Sequence, residues 1–166
     1  MNRYRLTGIL LLFLLAAVLL MPVFAMDAQQ QKEFDRILAM SYAELTESAT
    51  VALRKRYPGE KWEAYRFPDF VSTNASSEAG YRIAIKRPEL LAKIHCACAC
   101  EVAGHKNLLD CYLKNGQPGV YDRHASFCGI CNTQAMLAFL WAELGATDRE
   151  IADGMEKRLR PKGTFE

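Results

Sequence analysis

Apolar residues recur at helical spacing through residues 27–57. Phe34, Ile37, Leu38, Leu45, Ala49, Ala52 and Leu53 form one stripe between Asp27 and Tyr57, with polar residues between them. This predicts a helix that packs one face on a core and ends at Pro58-Gly59. Glu60 to Phe70 is aromatic and irregular, with Trp62, Tyr65, Phe67 and Phe70 expected to cover the core. Ser72 to Gly80 is small and polar and reads as a loop. Tyr81 to Lys86 and Glu89 to Ile94 read as helical pieces hinged at Pro88. Lys106 to Lys114 predicts a short helix, and Asn115-Gly116 with Pro118-Gly119 a turn-rich loop. From Asp122 the pattern is helical to Leu144, with Met136, Leu137, Leu140, Trp141 and Leu144 as its apolar face and Gly145 as its stop. Thr147 and Glu150 have capping-box spacing and start a last helix that runs to about Leu159. No segment shows clean strand alternation. The expected fold is mostly α: a small helical domain whose loop-borne cysteines converge on one helix N-terminus.

The longest apolar run precedes all of this. Arg3 and Arg5 lead into Leu6 to Met21, almost wholly apolar, followed by Pro22 and Val23-Phe24-Ala25. That is the layout of a secretory signal, residues 1–25, cleaved after Ala25. An uncleaved anchor is the alternative, since Leu6 to Met26 is long enough to cross a bilayer core. Both place the rest of the chain outside the cytoplasm, in the periplasm or on the outer face of the cytoplasmic membrane. Membrane contact is then expected only through an uncleaved N-terminal segment. The exported part divides into an N-terminal helix and aromatic segment (26–70), a Cys-rich helical domain (71–160) and a frayed tail (161–166).

Charge narrows the partners. Without the two leader arginines the chain carries 19 basic and 19 acidic residues. That balance argues against a nucleic-acid surface, which needs a basic excess. No Ser-His-Asp pattern, phosphate-cradling glycine loop or carboxylate pair stands out, so a binding protein rather than an enzyme is expected.

The chemistry lies in six cysteines, all exported: Cys96, Cys98, Cys100, Cys111, Cys128 and Cys131. In an extended segment Cys96, Cys98 and Cys100 share one face; in a helix Cys98 points away. The intervening Ala97 and Ala99 leave room for a bend. His124, Cys128 and Cys131, four and three residues apart, form one patch if they lie on a helix, and a helix start there favours thiolate at Cys128. His105 precedes Cys111 by six residues, and His95 is a candidate outer donor to a ligand. Three readings compete. Thiolates with imidazole suit Cu(I), Zn²⁺ or iron–sulfur clusters, and six thiols exceed the four ligands of one structural zinc. The surplus and the exported location favour more than one ion or a copper-like ion, with zinc second. The candidate ligands are the six cysteines, His124 and His105. The second reading is a disulfide-stapled interaction module without metal, since six cysteines in an exported domain is a usual disulfide count. The third is thiol–disulfide exchange at Cys128-Gly-Ile-Cys131, although no βαβ pattern surrounds it. Asn132 after Cys131 excludes the c-type haem attachment pattern.

Four stretches together resemble a known family. They are Pro88-Glu-Leu-Leu-Ala-Lys-Ile-His-Cys-Ala-Cys-Ala-Cys100, Gly104-His-Lys-Asn107, Asp110-Cys111-Tyr112 and His124-Ala-Ser-Phe-Cys128-Gly-Ile-Cys131. The resemblance is to the PCYCGC-motif family of bacterial envelope proteins, over roughly Gly80 to Arg158. Many members look like lipoproteins, and this chain lacks the lipobox cysteine. The name-giving motif reads HCACAC here: His95, Ala97 and Ala99 stand where the family has Pro, Tyr and Gly, with all six cysteines kept. The resemblance implies an exported Cys-cluster domain and no particular reaction. With the residue chemistry it leaves metal binding, delivery or detoxification as the leading expectation. The partners expected are a metal ion and an envelope metal-handling or redox protein.

Overall fold

A computed structural model describes residues 26–98 and 100–159, the side chains of Cys100 and Glu101 excepted. The proposed leader 1–25 and the tail 161–166 lie outside the described residues. Six α-helices run in chain order among the described residues: α1 (Ala28–Ala39), α2 (Tyr42–Arg56), α3 (Ala75–Lys86), α4 (Pro88–Leu91), α5 (Gly129–Glu143) and α6 (Asp148–Leu159). Among the described residues the β-structure is a single antiparallel bridge, Leu113 to Tyr121. The mostly α expectation holds.

Where the expected elements differ from the observed ones, a local cap or a close approach is responsible. The stripe from Asp27 to Tyr57 forms two helices, not one. Ser41 closes a reciprocal capping box with Glu44 and restarts the chain as α2. Leu38 and Leu45 are seven residues apart, so the apolar spacing runs on in phase across the break and hides it. The expected loop at 72–80 is mostly helix. Asn74 caps α3 through its Oδ1, which accepts the Ser77 N–H at 2.8 Å. The small residues serve packing: a Cβ on Gly80 would come within 2.7 Å of Asn132 Oδ1 and of the Tyr112 ring. Pro88 sits in the first turn of α4, where its missing N–H costs nothing. The short helix expected at 106–114 is a 3-10 turn, Leu108–Cys111, capped by Asn107. The single helix expected from Asp122 is a 3-10 turn, His124–Phe127, then an extended Cys128, then α5. The Thr147–Glu150 capping box starts α6 as expected, and Gly145 takes a positive φ of 90° after α5.

α5 is the central element. It packs against α1, α2, α3, α4 and α6. Its apolar face was expected on one side, but Ala135 through Trp141 are buried without interruption. A helix hydrophobic all round belongs inside a bundle rather than on its surface. Trp141 stacks on Phe34 of α1 with ring centroids 4.4 Å apart, and its indole N–H donates to the Phe34 carbonyl at 3.2 Å. Segments 26–70 and 71–160 share one hydrophobic core. The aromatic segment covers that core through Phe67 and Phe70, and Tyr121 donates to the Tyr65 carbonyl at 2.7 Å.

Candidate metal centre

The N-terminal end of α5 supplies the first two sulfurs. Cys128 is the N-cap residue, with φ −109° and ψ 101°, and its Sγ accepts the Cys131 N–H at 3.4 Å. A cysteine here takes the place of the usual Ser or Asp cap. Cys131, one turn in, is fully buried. His124 precedes the helix on its 3-10 turn, held by its own N–H donating to Asp122 Oδ1 at 2.8 Å. The spacing 124, 128, 131 therefore converges through a turn and a cap rather than along one helix.

The loop after α4 supplies Cys96 and Cys98, in a turn rather than an extended segment. Gln134 of α5 clamps that loop. Its Oε1 accepts the Ala97 N–H at 2.9 Å, and its Nε2 donates to the His95 carbonyl at 2.9 Å. Cys111 ends the 3-10 turn Leu108–Cys111, which is tied to the same loop by the Leu108 N–H and the Ile94 carbonyl at 2.8 Å. Behind the sulfurs, Tyr112 donates to Asn132 Oδ1 at 3.0 Å, and Asn132 Nδ2 donates to the Ala125 carbonyl at 3.1 Å. Asn132 and Gln134 are 2% and 1% exposed. Their amides are thus spent on positioning, not on water.

The result is one pocket of sulfur. Cys96 Sγ lies 3.4 Å from Cys98 Sγ, 3.6 Å from Cys131 Sγ and 3.6 Å from Cys111 Sγ. Cys98 Sγ lies 3.5 Å from Cys131 Sγ and 3.4 Å from His124 Nε2. Ligand atoms of Cys98, His124, Cys128 and Cys131 all fall within 4.8 Å of one another, as do those of Cys96, Cys111 and Cys131. These separations are far beyond a disulfide bond of about 2.05 Å. They approach the edge of about 3.8 Å that a tetrahedron of sulfurs has around an ion at about 2.3 Å. Cys96, Cys111, Cys128 and Cys131 take part in no disulfide. Cys98 is disulfide-bonded. A staple of three disulfides is therefore not the arrangement of this domain.

The thiols share their protons unequally. Donation from Cys111, then from Cys131, lowers Cys96 to about 3 against the opposing effect of burial. Donation from Cys131, with the backbone N–H groups at the start of α5, lowers Cys128 to about 6. Cys131 is pushed up because it donates to Cys111, Cys128 and Cys96. For Cys111 the contact with Cys131 pulls down, but donation to Cys96 and burial outweigh it, and the thiol is held protonated. Sulfurs this close cannot all ionise without a cation between them.

The remaining candidates are placed as follows. Cys100 opens the 3-10 turn Cys100–Ala103, and its side chain is outside the described residues. His105 is in neither group of possible ligands. Its ring stands edge-on to His124 with centroids 5.2 Å apart, its Nε2 is 3.9 Å from Asp122 Oδ2, and its Nδ1 is buried with no hydrogen-bond partner among the described residues. A polar cavity of about 480 Å³ opens beside it, lined also by Lys106, Asp110 and Asp122. His95 is exposed and contributes its carbonyl to the Gln134 clamp. Sequence reasoning missed Gln134, Asn132, Tyr112 and Asp122. The available signal was two amide side chains two residues apart at the start of an otherwise apolar helix.

Neither the curated proteins nor the solved structures contain a match to this chain. The family described as "protein of unknown function with PCYCGC motif" matches residues 58–162, a span that contains α3 to α6, all six cysteines and all three histidines. On the strength of that span the chain belongs to the PCYCGC-motif family.

Proposed function

We propose that this is an exported, thiol-rich protein that binds a soft metal ion for storage, delivery or detoxification, with a copper-like ion favoured and zinc second. One observation carries the reading: five sulfurs and an imidazole from four separate segments lie in two overlapping groups, the ligand atoms of each within 4.8 Å of one another, and four of those sulfurs take part in no disulfide. Thiolate with imidazole is a donor set for Cu(I) and Zn²⁺, not for hard cations. Cys96, Cys111 and Cys131 offer three buried sulfurs within reach of one another, a soft donor set of the kind that Cu(I) accepts. Binding displaces the protons that the sulfurs now share, so affinity falls with acidity. Export rests on the leader-like residues 1–25, and the partner expected is an envelope metal-handling or redox protein.

The test is metal analysis of protein purified anaerobically from its own cell envelope. Stoichiometric copper or zinc that leaves on acidification supports the reading. Substoichiometric content of every transition metal, with the thiols oxidised, overturns it. A second reading, thiol–disulfide exchange, is favoured by the half-exposed Cys128 cap and the neighbouring Cys98 disulfide. It requires that Cys128→Ser abolish exchange with a model disulfide while metal content stays unchanged.

A further inference from the structure

His105 touches both the polar cavity and the sulfur pocket. The cavity of about 480 Å³ is lined by His105, Asp122, Asp110, Lys106 and Lys114 among others, and by none of the cluster's donors. The His105 ring also meets the His124 ring edge-on, with centroids 5.2 Å apart. His124 Nε2 in turn lies 3.4 Å from Cys98 Sγ. One carboxylate spans the same gap. Asp122 Oδ1 accepts the His124 N–H at 2.8 Å, and its Oδ2 lies 3.9 Å from His105 Nε2.

The His105 side chain is only 11% exposed, yet neither ring nitrogen makes a hydrogen bond among the described residues. Nδ1 is buried without a partner, and Nε2 is too far from Asp122. A buried nitrogen left unbonded costs stability, so packing alone would be served better by an apolar ring. A neutral imidazole carries one N–H and one lone pair. That lone pair is a donor for copper-like and zinc-like ions. Lys106 and Lys114 balance Asp110 and Asp122 around the cavity. The draw for a cation is therefore the imidazole, not a net charge. Resting on the metal-binding reading above, we infer that His105 is the entry ligand of the cluster. A soft ion arriving through the cavity binds His105 first. It then passes to His124, and on to Cys128 and Cys131, whose sulfurs lie within 4.8 Å of the His124 donor. Each step breaks one dative bond and forms another, and no atom changes oxidation state. The thiol protons that the ion replaces leave to water. His105 is vacated when the ion settles, in keeping with its absence from both groups of ligands.

The experiment measures loading rates. Cu(I) is supplied anaerobically as its coloured bicinchoninate complex, and its transfer to the protein is followed by the loss of that colour. The parent is compared with His105→Leu and His105→Met. The two replacements have nearly the same volume, but only Met brings a soft donor, its thioether. His105→Leu is expected to load about tenfold more slowly, the lower end of what donors just outside a metal centre contribute. His105→Met is expected to recover most of the rate, and all three proteins to end with the same number of ions. Circular dichroism checks helical content, and His105→Phe takes the place of the Leu variant if that one does not fold. Equal rates in the Leu and Met variants overturn the entry role while leaving metal binding intact. Fewer ions at the endpoint in the Leu variant make His105 a resident ligand and overturn its role in transit. No uptake by the parent overturns the metal-binding reading, and the entry role with it.

Discussion

The two halves of α5 bury one helix against two kinds of chemistry. From Ala135 to Trp141 the neighbours are hydrocarbon and aromatic rings, and the segment is buried throughout. From Cys128 to Gln134 the neighbours are sulfurs, amides and loop carbonyls. Hydrocarbon packing asks only for volume, and helices supply it without directional bonds. The sulfur end is built from loops and 3-10 turns with little regular structure, so it depends on a few directed hydrogen bonds. On the proposed reading, stability belongs to one end of the helix and metal binding to the other. Mutations that separate the two effects are its tests.

The largest effect is expected at the hydrocarbon end. Trp141→Ala removes a fully buried ring, its stack on Phe34 and a buried hydrogen bond. A loss of about 3–5 kcal/mol in urea unfolding is expected. Metal bound per folded molecule should be unchanged. If the folded fraction loses metal as well, the two ends are coupled and the comparison breaks.

Gln134→Ala tests the other end. It leaves the Ala97 N–H and the His95 carbonyl without their side-chain partner. About 1–3 kcal/mol of stability should go. The larger consequence is on the site, because Gln134 orients the loop bearing Cys96 and Cys98, and outer groups of this kind typically change metal affinity by about 10–100-fold. Competition with a chelator measures the affinity, and denaturation measures the stability. Equal losses in both would show Gln134 to be ordinary packing.

This division was only partly legible in the sequence. The mostly helical class, the Thr147 box and the convergence of Cys and His positions follow from spacing alone. The break at Ser41 was written in Ser41-Tyr-Ala-Glu44, but the in-phase apolar stripe spoke louder. The stretch at 72–80 misled because small polar residues mark loops and close helix contacts alike. Gly80 is small because Asn132 and Tyr112 approach it, and both lie far away in sequence. His124 and Cys128 kept their functional neighbourhood although the helix expected to carry them is a turn and a cap. Spacing constrains where side chains meet more loosely than it fixes the backbone between them.

A pH profile sharpens the picture at Cys128. Its thiol is lowered from 9.0 to about 6 in the folded protein. Thiolate is therefore favoured by folding, so this group's contribution to stability is full above pH 9 and lost as the pH falls through about 6. In metal-free protein, alkylation of Cys128 by iodoacetamide should be level above neutrality and decline tenfold per pH unit below about 6. Cys111 and Cys131 are buried and held protonated, and should react slowly throughout. A Cys128 profile still rising at pH 8 would show that the helix start does not stabilise the thiolate.

The smallest effect is expected at His105, and for that reason it defines the edge of the site. Its ring packs edge-on to His124, its Nε2 is too far from Asp122 for a hydrogen bond, and its Nδ1 has no partner among the described residues. His105→Phe keeps a ring of similar shape and removes a buried nitrogen that makes no bond. Removing an unsatisfied polar atom costs little and can stabilise. Stability within about 1 kcal/mol of the parent is expected, with the number of bound ions unchanged. His124→Gln, 5.2 Å away from ring to ring, should lose an ion. If the Phe variant also loses one, then the donor set extends through His105 to the polar cavity, and the binding end of α5 is larger than the sulfur cluster alone.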